Sequence, residues 1–275
     1  MSRHLNRRQR TFLLLFCSVI ALLTVTVAGG LLSGQAMVTD FSRKNLAPCM
    51  AYPFGTDWMG RDMFARTLAG LSMSLRLGAL TAGISAVAAL VIGLFAATSG
   101  RVGGALTGWL IDLVMGIPHI LLLILISLAC GRGLTGVVAG IALTHWPSLA
   151  RLLRAELLQL RESPFIRIAE KLGIGRLRIV REHLFPHLLP QFLVGLVLLF
   201  PHAILHEASI TFLGFGLPPE QPAIGVILSE SMQYLAMGRW WLAVFPGALL
   251  VLAVMLFFTL GENLRCLLDP GSVQE

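Results

Sequence analysis

Long apolar stretches alternate with shorter polar segments along the chain, and this alternation is its dominant pattern. A bilayer hydrocarbon core about 30 Å thick requires about 20 predominantly apolar residues in a helical span. Six stretches approach that length, which predicts an all-α polytopic membrane protein with about six transmembrane helices, at residues 11–32, 75–98, 105–129, 134–150, 188–213 and 240–260. A basic, polar insert at 151–187 separates the fourth predicted span from the fifth.

Composition agrees with a membrane protein and limits the other classes. Apolar residues make up 56% of the chain and charged residues 13%, which is more apolar surface than a soluble domain can bury. The net charge of +7 raises nucleic acid as a partner, but no basic stripe is interleaved with aromatic residues, so none is predicted. The four cysteines have no CxxC spacing, which indicates no metal cluster and leaves a Cys49–Cys130 disulfide open.

The distribution of basic residues predicts the orientation, because Lys and Arg concentrate in the cytoplasmic segments of membrane proteins. With both termini inside, the opposite side of the membrane holds only seven of the 21 basic residues: Arg43, Lys44, Arg61, Arg66, Arg76, Arg132 and Arg239. We therefore predict a cytoplasmic tail at 1–10, an uncleaved first span at 11–32 and an extracytoplasmic segment at 33–74. A transmembrane core at 75–262, which includes the insert, and a cytoplasmic tail at 263–275 complete the predicted organisation.

The polar insert has the pattern of a helical hairpin. Ser163 can cap a helix that begins with Pro164, and Gly173, followed by Gly175, ends it and permits a reversal. Helical spacing places apolar residues on one face: Phe165, Ile168, Ala169 and Leu172. A second short helix is predicted at about 177–184, broken by Pro186. An exposed apolar face ringed by basic residues fits a groove on a partner protein or, alternatively, the surface of an anionic membrane.

The insert resembles the coupling loop of ATP-binding-cassette importer permeases, whose pattern is Glu-Ala-Ala, three residues, Gly, nine residues, Ile, one residue and Leu-Pro. The corresponding positions here are Arg167-Ile168-Ala169, Gly173, His183 and Phe185-Pro186. Arg167 replaces the family's Glu, and this reversal of charge implies a partner groove adapted to it. The resemblance implies contact with an ATPase subunit through Phe165, Arg167, Ile168, Ala169, Glu170, Leu172 and Gly173.

Three further segments resemble the permeases of dipeptide, oligopeptide and nickel importers. Residues 54–62, FGTDWMGRD, resemble the family's GTD-x-x-GRD signature, and residues 207–216, EASITFLGFG, resemble its EASLSFLGLG stretch. Residues 260–270, LGENLRCLLDP, resemble the family's GD-x-LRD-x-LDP terminus. Within the first of these segments, we expect Asp57, Arg61 and Asp62 to form an ion-pair network that orders the loop.

This resemblance implies a non-catalytic subunit in the inner membrane of a bacterium, with lipid around it. Such a chain pairs with a second, related permease, two cytoplasmic ATPase subunits and an extracytoplasmic solute-binding protein. The chain itself has no GxxxxGK[ST] phosphate-binding loop, so no cofactor is expected on it, and ATP and Mg²⁺ are expected on the ATPase subunits.

Polar residues inside the predicted spans are candidates for the translocation path, because they are costly in a membrane. Five stand out, namely Asp112, His119, His145, His202 and His206, with Glu207 just beyond. We select His145, His202, His206 and Glu207 as candidate path residues. Since His202 and His206 share a helix face, they are the candidate metal ligands. The alternative is that each histidine forms hydrogen bonds between helices and contacts no substrate.

The histidine-containing motifs also favour one substrate over another. Thr144-His145-Trp146 resembles the Ser-His-Trp of the nickel branch of the family, and His202-x3-His206 resembles its His-x3-Leu-His element. The first functional prediction is therefore import of nickel or a metal chelate, delivered by a solute-binding protein. Import of dipeptides or oligopeptides is the alternative, and a secondary transporter that is not coupled to ATP is an alternative of another class.

Overall fold

The computed structural model describes residues 7–268, and this part of the chain contains ten α-helices, with the longest connection between α1 and α2. The helices are α1 (Arg7–Leu31), α2 (Met63–Thr98), α3 (Gly100–Gly116), α4 (His119–Ala129), α5 (Leu134–Arg161), α6 (Pro164–Lys171), α7 (Arg176–Ile179), α8 (Phe185–Phe212), α9 (Ile224–Leu235) and α10 (Trp241–Leu268). Strand-like pairing in the described residues is limited to the isolated bridge between Thr56 and Asp62. The predicted all-α class is confirmed. Residues 1–6 and 269–275 of the two predicted tails lie outside the described residues.

The predicted number of six spans is not confirmed. Four helical segments are long and apolar enough to cross a membrane: Arg8–Leu31, Met63–Thr98, Leu177–Phe212 and Trp241–Leu268. The pair α3 and α4 adds a fifth if it counts as one span. Helix α5, where the span 134–150 was predicted, falls outside this group, because its sequence includes His145, Pro147 and Arg151 and continues to Arg161.

A sharp bend divides the predicted span 105–129. Helix α3 ends at Gly116, Ile117 has extended backbone angles, and α4 begins at His119 after a change of direction of 94°. Pro118 explains the break, because the proline ring disfavours helical angles at the preceding residue. The pair is therefore a broken span or a re-entrant turn, and the bend places His119 at the first position of α4.

The structure also contains more helix than predicted in two places. Helix α2 begins at Met63, well before the predicted residue 75, with the Asp62 carboxylate accepting a 2.9 Å hydrogen bond from the Phe64 amide. The loop between α1 and α2 is correspondingly shorter than the predicted segment 33–74. Helix α9, which no span was predicted to include, packs against α2, α8 and α10.

The close packing of α2 against α5 organises the bundle. Small, fully buried residues recur at helical spacing along α2, namely Ala82, Ala86, Ala89, Gly93 and Ala97. A Cβ atom on Gly93 would lie 3.3 Å from the Leu153 Cβ, and the Ser85 hydroxyl donates a 3.1 Å hydrogen bond to the Ala142 carbonyl. In lipid, where no hydrophobic force drives helices together, small residues bring backbones close enough for van der Waals packing.

Glycines also allow α5 to approach α4. Gly136 and Gly140, both on α5, lie against the carbonyl oxygens of Ser127 and Leu123. Cys130, which follows α4, and Cys49 are free and exposed, so the disulfide left open by the sequence does not form.

We expect Gly136→Ala to destabilise the bundle, because a Cβ atom there would lie 2.2 Å from the Gly131 carbonyl oxygen and 2.5 Å from that of Ser127. Overpacking of this kind costs about 1–3 kcal/mol. Gly83→Ala is the matched control, since the Cβ position of Gly83 is open, and its thermal unfolding midpoint should equal or exceed that of the wild type. Equal midpoints for the two detergent-purified variants would contradict the α4–α5 packing.

Candidate functional sites

The first candidate site is the polar hairpin, which we define as residues 162–187. Its helix α6 begins with Pro164, after extended backbone at Ser163, as the sequence predicts. The predicted capping interaction is wrong, because the Ser163 hydroxyl donates a hydrogen bond back to the Leu160 carbonyl and caps no amide of α6. This bond ties the start of the hairpin to the end of α5.

Gly173 ends α6 through its backbone geometry. Its φ of +77° lies in the left-handed region, where glycine meets no Cβ penalty. The Gly173 amide donates to the Glu170 carbonyl at 3.0 Å, and the Ile174 amide donates to the Ala169 carbonyl at 3.1 Å. This pair of bonds is a Schellman motif, which satisfies the last carbonyls of the helix and reverses the chain.

The apolar residues of α6 divide into two faces. Ile166 and Ala169 are buried, and Ile166 lines a crevice together with Thr98 at the end of α2, Arg161 at the end of α5 and Ile179. Phe165, Ile168 and Leu172 are 41%, 57% and 74% exposed. The prediction is therefore corrected for Ala169, which lies on the inward face with Ile166. The outward face is apolar and remains exposed, although Phe165 at its edge also stacks on the His187 ring.

Charged residues of the hairpin lie mainly at its surface. Arg167 forms an exposed ion pair with Glu162, while Glu170 lines the crevice beside Arg161. The Phe165 ring stacks on the His187 ring with centroids 5.5 Å apart. Exposed ion pairs contribute only about 0–1 kcal/mol each, so the hairpin is held mainly by its buried apolar face and its backbone bonds.

The predicted break at Pro186 is wrong. The chain passes from α7 through a π-helical turn, Val180–Leu184, directly into α8, and Pro186 occupies the first turn of that helix. A proline removes one backbone hydrogen bond and crowds the carbonyl four residues earlier, and a wider π turn accommodates both effects. The hairpin is thus continuous with the long helical segment Leu177–Phe212.

The second candidate site is a cavity of about 270 Å³ lined by histidines from three helices. His119 of α4, His145 of α5 and His206 of α8 have ring centroids 4.4–5.0 Å apart, and we call them the histidine triad. One ring nitrogen from each of the three histidines lies within 4.8 Å of the other two. This spacing is compatible with binding one metal ion. His202 lines the rim of the cavity, where it is exposed and its ring meets the edge of Phe258.

The structure therefore brings together part of the predicted path. His145 and His206 are neighbours, His202 lies beside them, and His119 joins them although it was absent from the selected path residues. Glu207 is completely buried and does not line this cavity, and its carboxylate accepts a 3.0 Å hydrogen bond from Thr211.

Hydrogen bonds determine the orientation of the His145 ring. Its Nδ1 atom lies 3.0 Å from the Ile141 carbonyl oxygen, which can only accept, so Nδ1 carries the proton. The Thr144 hydroxyl, 3.1 Å from the same Nδ1 atom, lies 2.9 Å from the Gly140 carbonyl. Nε2 is then an acceptor, and it is buried with no hydrogen-bond partner among the described residues. The Nε2 atom of His119 is likewise buried with no hydrogen-bond partner among the described residues.

An ion cluster of four residues closes the end of the bundle opposite the hairpin. The Asp57 carboxylate accepts bonds from Arg61 at 2.6 Å and Arg66 at 2.9 Å, and Glu230 of α9 lies 3.2 and 2.8 Å from the same two guanidinium groups. The predicted network is corrected: Arg66 and Glu230 take part, whereas Asp62 caps α2. It is also buried, since Asp57, Arg61 and Arg66 are at most 5% exposed at their side chains.

Comparison with known proteins identifies the family. A family profile described as "Binding-protein-dependent transport system inner membrane component" matches residues 89–273, more than half of the chain. Over 98% of its length, the chain is 34% identical to a peptide transport system permease protein of Brucella suis biovar 1 (strain 1330), and it covers 90% of that relative. The chain belongs to this family.

Other relatives of the permease agree. It is 31% identical to the dipeptide transport system permease protein DppC of Bacillus subtilis (strain 168), over 94% of its own length and 80% of the relative's. It shares its fold with an inward-facing MetNI methionine ABC transporter, with a TM-score of 0.62 and 19% identity over 75% of the permease and 98% of that chain. An amino acid ABC transporter gives a TM-score of 0.56 and 18% identity, over 74% of the permease and 94% of that chain. The permease is thus a multi-pass inner-membrane subunit of an ABC importer.

We expect Arg66→Met to destabilise the permease strongly, because it leaves the buried Asp57 carboxylate and the partly buried Glu230 carboxylate with one guanidinium group between them. Removing one member of a buried ion pair costs about 3–5 kcal/mol. Arg43→Met breaks the exposed pair with Asp40 and is the control, with an expected loss of about 0–1 kcal/mol. The thermal unfolding midpoints of the purified variants measure the difference, and similar midpoints would show that the cluster is not a structural anchor.

Proposed function

We propose that this permease forms half of the translocation path of an ATP-driven importer of short peptides. The proposal on cargo rests on the relatives, which are named as peptide and dipeptide permeases and match nearly the whole chain. The prediction of nickel or a metal chelate as the cargo finds no support among these relatives. The peptide alternative therefore replaces it.

The observation that carries the proposed coupling to ATP is the division of α6 into two apolar faces. The inward face, Ile166 and Ala169, fixes the helix to the bundle, while Phe165, Ile168 and Leu172 project outward. Exposed apolar side chains on a short helix suit a groove on another protein. We propose that an ATPase subunit binds this outward face, with Arg167 and Glu170 at its border and Gly173 setting the end of the helix.

Attachment of the hairpin to the bundle supports its role as a rigid connector. Arg161 at the end of α5 donates a hydrogen bond to the Ala97 carbonyl at the end of α2, and both helices border the crevice that holds Ile166. A displacement of α6 by the ATPase would therefore move the ends of α2 and α5 with it. Rigid-body motion of this kind is one of the established forms of conformational switching.

The helix arrangement supports the proposed orientation. Gly29, near the end of α1, packs against Leu68, near the start of α2, so the beginning of α1 lies at the same end of the bundle as the hairpin. Trp241, the first residue of α10, packs against Gly55 in the loop before α2, so the last residues of α10 also reach the hairpin end. We propose that this end is cytoplasmic and contains both termini.

The proposed assembly contains a second homologous permease, two ATPase subunits that bind ATP and Mg²⁺, and an extracytoplasmic solute-binding protein. The long, apolar helical segments of this chain provide half of a path through lipid, and the histidine cavity and its rim, His202, border the proposed route. The position of Glu207, buried away from this cavity, favours a packing role for that residue.

The cargo and the energy source can be tested together in proteoliposomes that contain the complete transporter, its solute-binding protein and enclosed ATP. We expect uptake of a radiolabelled dipeptide that requires ATP and persists when an ionophore collapses the ion gradients. Uptake of ⁶³Ni²⁺ without dipeptide uptake would restore the nickel prediction. Dipeptide uptake abolished by the ionophore and independent of ATP would indicate a secondary transporter.

Ile168→Glu tests the outward face of α6. A carboxylate buried in an apolar groove without a partner costs about 2 kcal/mol or more, so binding of the ATPase subunit should weaken more than about tenfold. Lys171→Gln changes the net charge by the same amount on the same exposed helix and should leave binding intact. Copurification of the ATPase subunit with the tagged permease, together with dipeptide uptake, reports the result. Normal copurification of Ile168→Glu would exclude this face as the ATPase contact.

A further inference from the structure

We propose that His119, His145 and His206 form a binding site for a divalent first-row transition-metal ion. This inference goes beyond peptide import and does not depend on it, because it rests on the geometry of the three rings. Each ring comes from a different helix, α4, α5 or α8, and the rings converge on one cavity. Of the pair suggested by sequence spacing, only His206 belongs to this site.

The spacing of the ring nitrogens fits one shared ion after a small adjustment. One nitrogen from each ring lies within 4.8 Å of the others. A metal–imidazole bond of about 2.0–2.1 Å gives nitrogen pairs about 3.3 Å apart in a tetrahedral site. Because His119 and His206 are only partly buried, rotation of their rings about the side-chain bonds can close the difference.

The hydrogen-bond pattern of the triad favours a ligand over bonding between helices. The described structure has no hydrogen bond between any two of the three rings, although their centroids are only 4.4–5.0 Å apart. Nε2 of His145 is buried, unpaired and an acceptor, since Nδ1 donates to the Ile141 carbonyl. A metal-binding imidazole usually donates its other ring N–H to a carboxylate, a backbone carbonyl or water, and His145 has such a carbonyl partner.

The chemistry of three imidazoles limits the type of ion. Neutral imidazole suits Zn²⁺, Cu²⁺, Ni²⁺ and related ions, whereas Mg²⁺ and Ca²⁺ prefer oxygen ligands. Three protein ligands leave at least one coordination position open to the cavity of about 270 Å³. The ion can therefore arrive alone or as a complex with a short peptide, whose remaining donor atoms would occupy the open position.

Direct metal binding to the complete transporter tests this site without a transport assay. The complex is purified through an affinity tag that contains no histidine, stripped with a chelator and dialysed against ⁶³Ni²⁺. We expect saturable binding at one ion per copy of this permease, unaffected by excess Mg²⁺. His145→Asn and His206→Asn should each weaken it by more than about 100-fold, because even the loss of a residue that supports a ligand costs about 10–100-fold.

His183→Asn combined with His187→Asn is the matched control. These two histidines belong to the same long helical segment as His206, but they lie at the hairpin and do not line the cavity. We expect this variant to bind ⁶³Ni²⁺ like the wild type. If the wild type binds no more ion than the triad variants, or if the control alone loses binding, the proposed site is wrong.

A measurement on the wild type alone tests the site even if the variants fail to assemble. Electron paramagnetic resonance of the complex with bound Cu²⁺ should show nitrogen couplings from three imidazoles, and a spectrum without them would overturn the assignment.

Dialysis with ⁶³Ni²⁺ and equimolar diglycine distinguishes the two sources of the ion. Binding in both forms indicates a site open to peptide chelates, and binding of free ion only indicates a site for the ion itself. Dipeptide uptake is measured separately, so its failure would overturn only the proposed function.

Discussion

The close approach of α2 and α5 is the contact on which the other parts of the permease depend. Small side chains on α2, from Ala82 to Ala97, let the two backbones pack where lipid gives no hydrophobic advantage to association. Helix α5 holds His145 at the histidine cavity and ends at Arg161, which joins the end of α2. The cavity and the hairpin are therefore positioned by one interface, although they lie in different parts of the bundle.

The two ends of the bundle are stabilised by different physics. At one end, Asp57, Arg61, Arg66 and Glu230 combine two positive and two negative charges in a buried cluster, so no net charge is left without a partner. At the other end, the hairpin is fixed by apolar burial and backbone hydrogen bonds and keeps an apolar surface outside. The ion cluster fixes the positions of its four side chains, whereas the hairpin leaves an apolar surface available to another protein.

Local signals in the sequence predicted the all-α class, the start of α6 at Pro164 and its end at Gly173, because each depends on neighbouring residues alone. The break before His119 had a local signal in Pro118, which the uniform apolar composition obscured. The sequence singled out the three histidines, Asp57 and Arg61 one by one, but it held no signal for how they assemble with distant residues, since they meet through tertiary packing; Arg61 and Glu230 are 169 positions apart. Helix α9 has only 12 residues, so a search for membrane spans of about 20 apolar residues does not detect it.

The length of α2 has a mechanical consequence. Its 36 residues, at about 1.5 Å each, form a rod about 54 Å long, well beyond a hydrocarbon core of about 30 Å. One end of this rod is fixed in the ion cluster, and the other borders the crevice that holds Ile166 of the hairpin. A tilt of about 5° around the fixed end moves the free end by about 5 Å, close to one helical turn. The helix can therefore act as a lever arm, in which the anchored carboxylates and guanidinium groups serve as the pivot.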